Sequence, residues 1–145
     1  MKVAFTGTLD GIPELQLLGA IDLLKAGDEL HFGDCKGADA QAWRLAASRG
    51  ICTVAHPAID DTWRAYCQAD FTHAPKAYME RNRAMVNECE YLIATPRSLR
   101  EVLRSGTWAT IRYAMACGKN ALIIGPDGKL GHMVRATRKR KRRHK

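Results

Sequence analysis

Several familiar sources of function are missing from this chain of 145 residues. Its five cysteines (Cys35, Cys52, Cys67, Cys89 and Cys117) are odd in number, widely spaced and form no CxxC pair. That pattern speaks against a zinc site or a disulfide framework and points to a reduced, cytoplasmic setting. No apolar run approaches the roughly 18 residues that cross a bilayer. No leader pattern precedes Lys2-Val3-Ala4-Phe5-Thr6-Gly7. Neither a GxGxxG dinucleotide fingerprint nor a Walker A loop is present. No Ser/His/Asp order and no carboxylate pair stands out, so hydrolysis of those types has no evident carrier. No internal repeat is seen, and neither a metal nor a cofactor is expected.

What is present is an ordinary globular composition, 46% hydrophobic and 26% charged, long enough for one domain with a real core. The net charge of +8 is confined to one place. Residues 135–145 hold eight of the 23 lysines and arginines and no acid, leaving 15 basic residues to balance 15 acidic ones in residues 1–134. The body is formally neutral. A run so dense in like charge is expected to be a solvated, disordered appendage. Its Arg138, Lys139, Arg140, Lys141, Arg142 and Arg143 are candidates for non-specific attachment to nucleic acid.

Residues 1–134 alternate between strand and helix patterns. Apolar β-prone runs at Val3–Thr6, Glu29–Phe32, Ile51–Ala55, Tyr91–Ala94 and Ala121–Ile124 read as five strands. Helical spacing runs from Pro13 to a stop at Gly27, over Ala38–Ser48, from Pro75 to about Cys89, and over Thr107–Cys117. Residues 58–74 break the rhythm and predict a loop over a site. Pro126-Asp127-Gly128 is a turn expected to end the fold. Strands separated by helices imply right-handed crossovers and a mainly parallel sheet between two helical layers. Ligands of such sheets lie at the strand carboxyl ends, where the strand order reverses.

Three glycine turns fall at those ends. Gly7-Thr8 follows the first strand, Gly33-Asp34-Cys35-Lys36-Gly37-Ala38-Asp39 the second, and Ser105-Gly106-Thr107-Trp108 opens the helix after the fourth. Glycine at a strand-to-helix turn brings backbone N–H groups close to a ligand, and a helix N-terminus favours an anion. Gly33, Asp34 and Cys35 can present amides, and Asp39 can accept a sugar hydroxyl; a tight turn with an Asx cap accounts equally well for the segment. Ser105-Gly106-Thr107 reads as a phosphate nest or as a plain helix cap. Trp108 can stack on a base or pack in the core. Arg81 and Asn82 sit near the buried side of their helix, and Arg81 needs either a ligand phosphate or an acid such as Asp34 or Asp39. Cys35 lies where a thiol's pKa is often lowered, though a small buried residue suits the position as well. His31 reads as a core residue and His56-Pro57 as a strand terminator.

Taken together, His31-Phe32-Gly33-Asp34-Cys35-Lys36-Gly37-Ala38-Asp39, His56-Pro57, Tyr78 with Arg81-Asn82-Arg83 and Met85-Val86, Leu92-Ile93-Ala94-Thr95-Pro96 and Ser105-Gly106-Thr107-Trp108-Ala109-Thr110-Ile111-Arg112 resemble the SLOG superfamily. The likeness spans residues 2–128 and is strongest to the YpsA-like branch. It extends to the LOG-type (lysine-decarboxylase-like) phosphoribohydrolases and DNA-processing protein A. The resemblance implies a Rossmann-like fold and a pocket for a nucleotide or nucleotide-derived ligand. Gly33, Gly37, Ser105, Gly106 and Thr107 would be phosphate positions, and Arg81 matches a site arginine of the LOG-type enzymes, which makes it the one catalytic candidate. It also implies self-association. The LOG-type PGGxGTxxE motif is broken, since Thr110 stands at its glutamate position and Val102-Leu103-Arg104-Ser105 replaces the PGG segment. The expected function is therefore a ligand sensor or sequestering protein. The alternatives are an N-glycosidase-type enzyme and a nucleic-acid binder acting through the basic run.

Overall fold

The computed structural model describes residues 1–134; residues 135–145, with the whole basic run, lie outside the described residues. Eleven elements follow the chain. They are β1 (Lys2–Gly7), α1 (Glu14–Ile21), β2 (Glu29–Phe32), α2 (Ala38–Ser48), β3 (Cys52–Ala55) and β4 (Phe71–Thr72), then α3 (Tyr78–Glu88), β5 (Tyr91–Thr95), α4 (Gly106–Ala116), β6 (Asn120–Ile124) and β7 (Leu130–Val134). The strands form one sheet in the order β4-β3-β2-β1-β5-β6-β7. Every neighbouring pair is parallel except β6 with β7.

The expected five strands are thus seven. The two additions are edge strands with weak sequence signals. β4 is two residues long and arises inside the segment read as a loop. β7 follows the turn at Pro126–Gly128, which reverses the chain and does not end the sheet. Two helices are shorter than their patterns. α1 ends at Ile21, with Leu24 packed in the turn beyond it, and α3 begins at Tyr78, three residues after Pro75.

Alternation along the strands divides the apolar residues between two layers. On one face Val3, Phe5, Leu30 and Ile93 pack against α1 and α2 through Ala20, Ile21, Ala38, Ala42 and Ala46. On the other, Ala4, Leu92, Ala94 and Ile123 meet Met85 and Val86 of α3 and Trp108, Ile111 and Ala114 of α4. The alanine run of α2 lets that helix sit close on the sheet. Gln16 of α1 is buried, and its Nε2 donates to the carbonyls of Pro96 and Ile124, each at 2.8 Å. That amide ties the carboxyl ends of β5 and β6 to the first helix. No helix among the described residues is long and apolar enough to cross a membrane.

Candidate functional site

After β1 the chain builds outward through β2, β3 and β4; β5 returns to the far side of β1 and building continues through β6 and β7. The strand order therefore reverses between β1 and β5, and a cleft opens at their carboxyl ends, as such sheets require. Its volume is about 450 Å³, within the range of small-ligand pockets. The walls come from Gly7–Asp10 after β1, Gly33 and Cys35 after β2, Tyr78, Arg81 and Asn82 of α3, and Arg97, Ser98, Val102 and Ser105–Trp108 after β5.

The β5 side of the cleft ends at the start of α4. Ser105 is the cap residue, and its Oγ accepts from the Trp108 amide at 3.3 Å. The amides of Gly106 and Thr107 find no partner among the described residues and open on the cleft. Unpaired N–H groups at a helix start carry the positive end of its dipole. Gly106 is also a point of close approach: a Cβ there would collide with the hydroxyl of Tyr78, which reaches across from α3.

The β2 turn is organised differently. The Cys35 amide donates to Asp39 Oδ2 at 3.2 Å, the Lys36 amide to the Trp63 carbonyl at 2.8 Å, and the Ala38 amide to the Thr8 carbonyl at 3.0 Å. Gly37 has φ +85°, and a Cβ there would strike the carbonyls of Leu9 and Thr8, so only glycine lets the β1 and β2 loops meet. Arg81, 3% exposed, anchors α3 to this turn. Its Nη1 donates to the Gly33 carbonyl and, at 3.1 Å, to the His56 carbonyl, while the guanidinium faces the Tyr78 ring at 4.9 Å. Arg81 Nε is buried without a partner among the described residues.

Burial pushes the Asp39 carboxyl up to about 6, against the opposing pull of Arg81 and the Cys35 amide. Burial likewise pushes the Cys35 thiol up to about 11, with Asp39 adding to the effect. Cys35 is therefore a protonated, partly buried thiol, not an activated one.

The cleft brings together Gly7, Thr8, Gly33, Cys35, Asp39, Arg81, Asn82, Ser105, Gly106, Thr107 and Trp108, all candidates from sequence. Two candidates lie outside it. Asp34 is buried and turned the other way, accepting from Arg64 Nε and the Cys67 amide, both at 2.9 Å, so it fastens the 58–74 segment. Gly37 lines a shallow neighbouring depression. Trp108 is 7% exposed, packing in the α3–α4 core while its edge meets the cleft. Thr110 does not line the cleft; its hydroxyl donates to the Gly106 carbonyl at 3.0 Å. Sequence reasoning missed Tyr78 as a cleft residue; it is 46% exposed and lines the cleft from α3. It also missed the rim pair of Arg97 and Asp10, which joins the β5 and β1 loops.

No protein-family model and no curated protein matches the chain. Solved structures do. DNA processing protein A from Streptococcus pneumoniae aligns with a TM-score of 0.64 and 22% identity over 85% of this chain and 50% of its own. TM1055, a structural-genomics target, aligns at 0.63 and 18% identity over 85% of this chain and 72% of its own. The fold is the Rossmann-like one that the SLOG resemblance implied. At these identities the likeness shows fold alone, and the chain spans half the length of DNA processing protein A.

Proposed function

We propose that the chain binds a nucleotide or nucleotide-derived, phosphate-bearing ligand in the switch-point cleft, as a sensor or sequestering protein of the YpsA-like kind. The observation that carries this reading is a pair of unpaired donors on one cavity, the Gly106 and Thr107 amides at the start of α4, with Arg81 among the other residues that line it. Phosphate belongs at α4, away from Asp39. Asp39 suits a sugar hydroxyl, because a carboxylate so placed accepts hydrogen bonds and repels a second anion.

A nucleotide at 100 times its dissociation constant is expected to stabilise the fold by about 2.7 kcal/mol, read as a raised melting temperature. Free bases should give no shift. Gly106→Val, which fills the nest and displaces Tyr78, should abolish the effect. No shift across nucleotides, nucleotide sugars and cyclic nucleotides would refute the reading.

A hydrolase reading finds less support, since the Thr110 hydroxyl is engaged with its own helix. Clear release of base from nucleoside monophosphates, lost in Arg81→Ala, would reinstate it. Nucleic acid is a second ligand class, favoured by the eight cations of residues 135–145. Their deletion should remove salt-sensitive polyanion binding and leave the nucleotide shift intact.

A further inference from the structure

Away from the cleft, three histidines distant in sequence meet beneath α3. His31 on β2 and His56, just past β3, are both buried, and His31 Nδ1 lies 2.9 Å from His56 Nε2. Glu88, the last residue of α3, brings Oε2 to 3.8 Å from His56 Nε2. The donor atoms of His31, His56 and Glu88 all fall within 4.8 Å of one another. His73, after β4, stacks on His56 at 4.4 Å and holds its Nε2 3.3 Å from the same Glu88 oxygen. On the far side of His31, Nε2 meets Glu29 Oε1 at 3.0 Å.

We propose that His31 Nδ1, His56 Nε2 and the Glu88 carboxylate form a site for one divalent cation of the zinc class, clamping β2 and β3 to the C-terminal end of α3. The donor set is two imidazoles and a carboxylate, the chemistry that selects such ions over magnesium or calcium. Glu29 supplies the outer-shell carboxylate: by accepting a hydrogen bond from His31 Nε2–H it leaves the Nδ1 lone pair facing inward. Metal–ligand bonds of about 2.0–2.1 Å in a tetrahedral arrangement need donor atoms about 3.3 Å apart, so the rings part slightly and turn toward a common point while the Glu88 carboxylate, 3.8 Å from His56 Nε2, closes on them. His56 then carries its proton on Nδ1 in place of Nε2, with no net change of charge. The Glu88 side chain is 32% exposed, which gives the ion an entry path and leaves a fourth position for water. Lys2 Nζ, 3.7 Å from Glu88 Oε1, neutralises the other carboxylate oxygen. None of these side chains lines the cleft.

The test is titration of the full chain, stripped with a chelator, with Co²⁺ and then Zn²⁺ near neutral pH. The expected result is one Co²⁺ per chain with ligand-field bands but no thiolate-to-cobalt charge transfer, displacement by Zn²⁺, and a higher melting temperature with either ion. Glu29→Gln should weaken binding by about 10–100-fold. His56→Ala and the partly exposed Glu88→Gln should weaken it more. Absence of stoichiometric binding would overturn the proposal. So would a thiolate spectrum, or binding unchanged in Glu88→Gln, since the cysteines or His144 would then be the ligands.

Discussion

The two glycine turns on either side of β1 look alike in sequence and are built to opposite ends. In the turn after β2 the amides of Cys35, Lys36 and Ala38 are all spent on internal acceptors, and Arg81 takes up the Gly33 carbonyl. That turn is a hub, joining the β1 loop, the 58–74 segment and α3. In the turn before α4, Ser105 satisfies only the Trp108 amide, and two donors are left facing the cleft. A glycine-rich turn offers itself to a ligand only where the rest of the fold has not already used its hydrogen-bonding groups.

Removing Arg81 should break this contrast most severely. Arg81→Met keeps much of the volume but strands the Gly33 and His56 carbonyls and leaves Asp39 without its cation. Loss of one partner from a buried charged cluster costs about 3–5 kcal/mol, measurable by urea unfolding. A loss below about 1 kcal/mol would mean that the hub does not depend on the arginine.

Asp39 sharpens the comparison through pH. Its folded pKa of about 6 lies above the ordinary carboxylate value of about 3.9, so the folded state holds a proton that the unfolded state has already released. Stability from this group is present below about pH 4 and falls as pH rises through about 6. The total change is at most about 3 kcal/mol. The difference in unfolding free energy between the wild type and Asp39→Asn should narrow or reverse across that window. A pH-independent difference would show that Asp39 titrates normally in the folded state.

The smallest effect belongs to the open turn. Ser105→Ala removes one cap and should cost about 1 kcal/mol. Because the Gly106 and Thr107 amides remain, nucleotide-induced stabilisation should survive at reduced strength. A stability loss as large as that of Arg81→Met would place the structural hub at the wrong turn.

The alternation of β-prone runs with helical spacing was enough to read the layers and the carboxyl-end location of the cleft, because each central strand carries its own apolar signal. The edges were illegible for the same reason. Phe71–Thr72 is too short for a pattern, and β7 follows a Pro-Asp-Gly turn that reads equally well as the end of a fold. Within the site, residues next to the glycines could be nominated by proximity in sequence. The fate of Asp34 could not, since its partners Arg64 and Cys67 come from a segment without periodicity. The histidines at 31, 56 and 73 have no motif spacing, and only strand register brings them side by side.

β7 has a directional consequence. It runs against its neighbour, with Val134 beside Ala121 near the start of β6, so the described chain finishes at the amino end of the parallel strands. The cleft lies at the carboxyl end, on the order of 15 Å away for a strand of five residues. The molecule is thus polar in the sense of a bar magnet. The described chain ends at one pole, while the unpaired Gly106 and Thr107 amides open at the other, so whatever follows Val134 in sequence is joined to the fold at the end away from the cleft.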